Sequence, residues 1–229
     1  EEDEVMSMFP ARTLDTVLYF SDRGKVYSSK AYQIPAASRT SSGLPIVNVL
    51  NIDPQEKITA IVPIADFDQA KFCTMVTESG MVKRVDLAEF ESVRPSGLIA
   101  IDLKDDDKLG WVHLSSGEDE IVIITKQGYT LRFQEEEVRP MNRPAMGVIG
   151  IRLRPNDIVI GMDIVEPDSD LLVISQKGYG KRTPLNEYPT RGRATMGVLT
   201  LDKKAIPEIG QVACARVVHA DHDLVTIIS

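Results

Sequence analysis

Two glycines recur in fixed phase four times along this chain, and that recurrence constrains the fold more than any other feature. The first glycine of each pair ends a short motif: "FSDRG" at 20–24, "VTESG" at 76–80, "ITKQG" at 124–128 and "ISQKG" at 174–178. The second, at Gly43, Gly97, Gly147 and Gly197, opens an alternating apolar stretch, as in "GLIAIDL" and "GVIGIRL". The two stand 19 residues apart in three units and 17 in the second, and successive turn glycines are 56, 48 and 50 residues apart. Two markers that keep one phase define an internal repeat of about 50 residues, the period of a solenoid or propeller unit.

Each unit reads as strands. "DEIVIITKQGYTLRF" places β-runs on both sides of a glycine turn, as a hairpin requires, and the period-two alternation after the second glycine adds a further strand. The joins between units, such as "LGWVHLSSGEDEIVII" and "VIGMDIVEPDSDLLVI", are strand, acidic turn, strand. No long stretch carries helical periodicity. The expected fold is all-β: a partial array of propeller-like, four-stranded blades, each complete, at roughly 14–64, 65–115, 116–167 and 168–220. Incomplete strands are expected at 1–13 and 221–229, because "VMSMF" matches the strand that opens a join and "LVTIIS" stops where a turn glycine would follow. One blade cannot bury both its faces, so neighbours must pack face to face.

The 229 residues carry 26 Lys or Arg against 34 Asp or Glu, a formal charge of −8. The charge is not evenly spread. Between the two glycines of each unit the count is 13 basic against 7 acidic, whereas the rest of the chain holds 13 against 27. Any single Lys or Arg is ordinary surface charge, but solubility requires no fixed phase. Arg39, Arg143 and Arg193 each stand four residues before a second glycine, and Arg94 three before. Lys83, Arg84, Arg132, Lys181 and Arg182 follow the turn glycines, and Lys30 and Arg191 complete the candidate set. Repeating blades carry one phase to one radius and height. These residues are therefore expected to be exposed and to form a basic band on an acidic body, densest in the fourth repeat. Such a band suits a duplex bent around the rim, because Lys and Arg neutralise phosphates without reading bases and contacts along the rim offset the bending energy. The alternative is a scaffold that docks an acidic protein. A docking rim would interleave Tyr, Trp or Leu with Arg, whereas these windows are rich in Ser, Thr and Gly.

Other chemistry finds little support. No apolar run reaches the roughly 18 residues of a membrane span, and the acidic start "EEDEVMSMF" lacks the features of a secretory signal. Cys73 and Cys214 are far apart and lack metal-ligand spacing, which fits a reducing, cytoplasmic setting. His219 and His222 have no third ligand nearby in sequence, the acidic triplets at 105–107 and 135–137 lack the spacing of a calcium loop, and no P-loop occurs. No catalytic residue, metal or cofactor is expected here. Tyr27, Tyr32, Tyr129, Tyr179 and Tyr188 fall on strands or bends and read as packing residues.

The stretches "GKVYSSKAYQIPAASRTSSGLPIVNVL", "SGEDEIVIITKQGYTLRF" and "KGYGKRTPLNEYPTRGRATMGV" resemble the C-terminal domain of DNA gyrase A, and the resemblance covers essentially the whole chain. It implies a β-pinwheel whose blades exchange strands, with a basic outer edge that wraps double-stranded DNA. It further implies a holoenzyme with the N-terminal domain of gyrase A and with gyrase B, where ATP and Mg are used to introduce negative supercoils. The implied location is the cytoplasm, at the nucleoid. The family's first blade carries a Gln-Arg-Arg-Gly-Gly type loop, the gyrase box. No such run occurs here; it would lie just upstream of Glu1, so the resemblance implies incomplete wrapping by this stretch. The homologous domain of topoisomerase IV is the near alternative, and "YGKRT" and "AYQIP" look like gyrase.

Overall fold

The computed structural model describes residues 8–38, 40–104, 106–219 and 223. The partial strands expected at 1–13 and 221–229 fall largely outside them, and residues 8–13 form no strand.

The turn motif has a local cause. In every unit the residue three before the glycine is Ser or Thr: Ser21, Thr77, Thr125 and Ser175. Its carbonyl accepts the glycine N–H at 2.9–3.0 Å. Its hydroxyl accepts the N–H of the residue after the glycine at 3.1–3.3 Å. Both bonds close only when the glycine takes positive φ, which lies between +74° and +85° in all four turns. The result is four hairpins: β1 (Thr16–Ser21) with β2 (Lys25–Lys30), β4 (Phe72–Thr77) with β5 (Met81–Asp86), β8 (Glu120–Thr125) with β9 (Tyr129–Gln134), and β12 (Asp170–Ser175) with β13 (Gly180–Pro184).

A third strand pairs with the first strand of each hairpin: β3 (Ile58–Ile64), β7 (Leu109–Ser115), β11 (Val159–Ile164) and β15 (Val212–Val218). Successive members of this set lie side by side, so they form the inner edge of every sheet. The strand after the second glycine crosses to the hairpin before it. Thus β6 (Leu98–Ile99) pairs with β2, β10 (Val148–Ile149) with β5, and β14 (Val198–Leu199) with β9. These exchanged strands stand at the outer edges. They are two residues long, shorter than the alternating pattern predicts, because the acceptor hairpin ends at its glycine. The N–H groups of Ala100, Gly150 and Thr200 donate to the carbonyls of Gly24, Gly80 and Gly128 at 2.7–2.8 Å, and the ladder stops there.

Three sheets are therefore four-stranded, and the fourth, β15-β12-β13, has three strands among the described residues. This corrects the expectation of four complete blades: a blade's outer strand comes from the repeat that follows it. The stretch after Gly43 likewise forms no strand. Its Ile46–Asn48 segment is a 3-10 turn, and Leu44, Ile46 and Val47 are exposed, since no described hairpin precedes the first repeat to accept it.

The core sits in the seams between sheets. Leu18 and Phe20 meet Cys73 and Met75, Val76 meets Ile121 and Ile123, and Val122 and Ile124 meet Leu171 and Val173. A central strand such as β8 is buried on both faces and so reads as a continuous apolar run.

Candidate nucleic-acid interface

The predicted basic residues divide into two groups. Those just after the turn glycines are mostly structural. Lys83 is fully buried, and its ammonium donates to the carbonyls of Ala100 (2.8 Å) and Arg143. Burial lowers its pKa to about 8. Arg84 is 7% exposed, donates to the carbonyls of Val138 and Gly117, and pairs with the buried Glu135 at 3.6 Å. Its guanidinium also lies over the Phe72 ring. Arg132 donates to the Leu185 carbonyl (2.8 Å) and pairs with Glu120. The expectation that these three face solvent is corrected. Position explains the difference. Arg84, Arg132 and Arg182 all occupy the fourth place after a turn glycine. The segment that crosses over from the next repeat lies on top of this place, bridging Arg84 to Pro140 and Arg132 to Thr190. No described segment crosses over Arg182, so it stays half-exposed beside Asp170 at 2.8 Å.

The same crossover explains the arginines four before the second glycine. Arg143 reaches Glu89 at 3.3 Å. In the next repeat, the Arg193 N–H donates to the Glu137 carboxylate and its guanidinium to the carbonyls of Glu137 and Ile149, each at 2.9 Å. Glu89 and Glu137 hold equivalent places, in the 3-10 turns that end each hairpin. These two arginines fasten each crossover to the blade before it and keep part of their charge at the surface. Arg39 lies outside the described residues.

The exposed members are Lys30, Arg94, Lys181, Arg182 and Arg191. Lys30 is tied to Thr16 Oγ1 at 2.8 Å. Three further cations escape notice in the sequence. Arg139 is exposed in the crossover of the third repeat but has no counterpart in phase. Arg152 and Arg154 lie beyond the second glycine, outside the counted windows. They lean onto the next crossover, donating to the carbonyls of Ala194 (2.7 Å) and Met196 (2.9 Å), and Arg154 stacks 3.3 Å over Tyr129. The crossovers at 91–97, 138–147 and 188–197 thus carry Arg94, Arg139, Arg143, Arg191 and Arg193 along the outer edge of successive blades. That arrangement offers repeated point charges and guanidiniums to a polyanion.

Blades that each complete the sheet of the blade before them define the β-pinwheel class of propeller-like modules. A family model described as "DNA gyrase C-terminal domain, beta-propeller" matches residues 15–65, 73–113, 119–166 and 169–205, and the chain belongs to that family. It is 43% identical over 148 residues to DNA gyrase A of Clostridium acetobutylicum and 45% over 148 residues to that of Haemophilus influenzae, matches that cover 65% of this chain. It spans only 18% and 17% of those relatives' length. Among solved structures it is similar to a C-terminal domain of DNA topoisomerase IV (TM-score 0.77, 26% identity, 91% of this chain and 80% of that one). It is also similar to a DNA gyrase A C-terminal domain (TM-score 0.76, 26% identity, 92% and 68%).

Proposed function

We propose that this chain is the DNA-binding module of a type IIA topoisomerase, which holds duplex DNA without regard to sequence and bends it along the outer edge. The observation that carries this reading is the placement of exposed arginines on equivalent crossovers in a chain that is acidic elsewhere. The family and its gyrase A relatives support the same reading. Guanidiniums on one edge of successive blades meet phosphates along a curved path and release counterions. Among the described residues no groove-reading element accompanies them, so register on the DNA is set by charge alone. The bend would let a holoenzyme, assembled from the rest of gyrase A and from gyrase B, fix the sign of the crossing it passes and use ATP and Mg to supercoil DNA negatively. Among the described residues no helix is long and apolar enough to cross a membrane, and the proposed site of action is the nucleoid.

The test uses two duplexes of about 40 base pairs and unrelated sequence, doubly labelled at their ends. The expected result is equal affinity for both, with a shortened end-to-end distance in the complex. No binding at low salt, or strong preference for one sequence, overturns the reading.

A further inference from the structure

The outer-edge strands carry apolar side chains where alternation calls for polar ones. The first residue of each faces inward: Leu98, Val148 and Val198 pack against the seam cores. The second faces solvent, where a half-buried strand ordinarily places a polar residue. Here it is Ile99, Ile149 or Leu199, exposed by 53%, 42% and 46%. Met146 and Met196, just before the second glycines of the third and fourth repeats, are exposed as well. Lone apolar residues on a surface are ordinary, but these hold one place in three successive blades.

Cations stand beside them. The Arg193 guanidinium donates to the Ile149 carbonyl at 2.9 Å, and Arg143 holds the equivalent sequence place one repeat earlier. Leu199 pairs with Tyr129, whose ring carries Arg154 at 3.3 Å and Lys203 at 5.3 Å. Arg154 also donates to the Met196 carbonyl. Given the DNA-binding role proposed above, we infer that Ile99, Ile149 and Leu199 pack against deoxyribose rings of the duplex whose phosphates the neighbouring cations hold. A nucleic-acid strand alternates anionic phosphate with a sugar that presents C–H groups, and the rim offers a partner to each. An acidic protein fits less well, since a docking core gathers its aromatic and apolar groups into one patch, whereas these stand one to a blade. Contact with sugars reads no base, so binding stays indifferent to sequence. It does read the sugar: a 2′-hydroxyl pressed against an apolar side chain loses its water, so the row favours DNA over RNA.

The Ile99→Ser/Ile149→Ser/Leu199→Ser chain tests the inference, in titrations with DNA and RNA duplexes of about 40 base pairs over a range of salt. All three side chains are exposed, so the fold should persist, and circular dichroism checks it. The expected result is at least about tenfold weaker binding to DNA at every salt concentration, because apolar contact is lost. The slope of log affinity against log salt should not change, because no cation is removed. Binding to RNA, weaker in the parent, should fall by less than about threefold. The Ile99→Leu/Ile149→Leu/Leu199→Ile chain keeps the apolar area and should bind DNA as the parent does. A folded Ser chain that binds DNA as tightly as the parent, that loses DNA and RNA affinity equally, or that changes only in slope overturns the inference and leaves the DNA-binding role standing, as does a loss in the chain that keeps the apolar area. A parent chain that binds no DNA overturns the role and the inference together.

Discussion

Lys83 shows how a charge that reads as functional serves the fold. Its ammonium lies in the first seam, bonded to two carbonyls, one from the crossover strand of its own repeat and one from that of the next. Burial, the main cause, holds its pKa near 8, below the ordinary lysine value of about 10.4. Below about 8 the folded and unfolded states are both protonated and the desolvation cost stands. Between about 8 and 10.4 the unfolded state binds more protons, so stability should rise with pH through that window. Burial raises the pKa of the neighbouring Cys73 thiol and acts in the opposite sense above its unfolded pKa, so the rise should appear as the difference in urea unfolding between the parent and Lys83→Met chains from about pH 7.5 to 10.5. Arg84 and Arg182 make a sharper pair, with the same place in the repeat and opposite surroundings. Arg84→Ala would strand the buried carboxylate of Glu135 and should cost about 3–5 kcal/mol. Arg182→Ala, at a half-exposed ion pair, should cost under about 1 kcal/mol. Equal losses in urea midpoints would mean the crossover does not bury Arg84. Sequence alone could not separate the two residues, because what distinguishes them is a segment 54 residues downstream of Arg84 that folds over it.

At the scale of the element, the exchange depends on the second glycine, which leaves no room for a side chain wherever the crossover packs on the hairpin before it. Gly147 has φ +87°, and a Cβ there would lie 2.6 Å from the Val82 carbonyl oxygen. Gly43 has φ +72° with open space around it. Gly147→Ala should therefore cost more than about 2 kcal/mol, from strain and clash together, and Gly43→Ala about 1 kcal/mol from strain alone. Matching thermal shifts for the two would show that the exchanged strand does not pack closely. This level of the structure is the most legible in the sequence. Turn glycines, the Ser or Thr before them, and period-two runs are local requirements, so the four hairpins and the blade period follow from them. The fate of "GLPIVNVL" is not local. The same pattern makes a strand when a preceding hairpin offers an edge and an exposed 3-10 turn when none is described, and nothing within the stretch records which.

Across the whole molecule, the basic charge that shares one phase of the sequence repeat divides between two places. Part of it bolts blade to blade through Lys83, Arg84 and Arg132, and part of it stands on the crossovers as the proposed duplex path. The sequence count could not divide the two, since it weighs each cation equally, and it missed Arg152 and Arg154 because they fall beyond the second glycine. The central claim is that exposed crossover arginines, and not the seam cations, meet DNA. The most direct measurement is the slope of log affinity against log salt for a duplex of about 40 base pairs, in the parent chain and in the Arg94→Ala/Arg139→Ala/Arg191→Ala chain. All three side chains are exposed, so the fold should persist. At about 0.9 per phosphate contact, the slope should shrink in magnitude by between about two and three while affinity falls alike on every sequence. An unchanged slope in a folded triple variant would contradict the account.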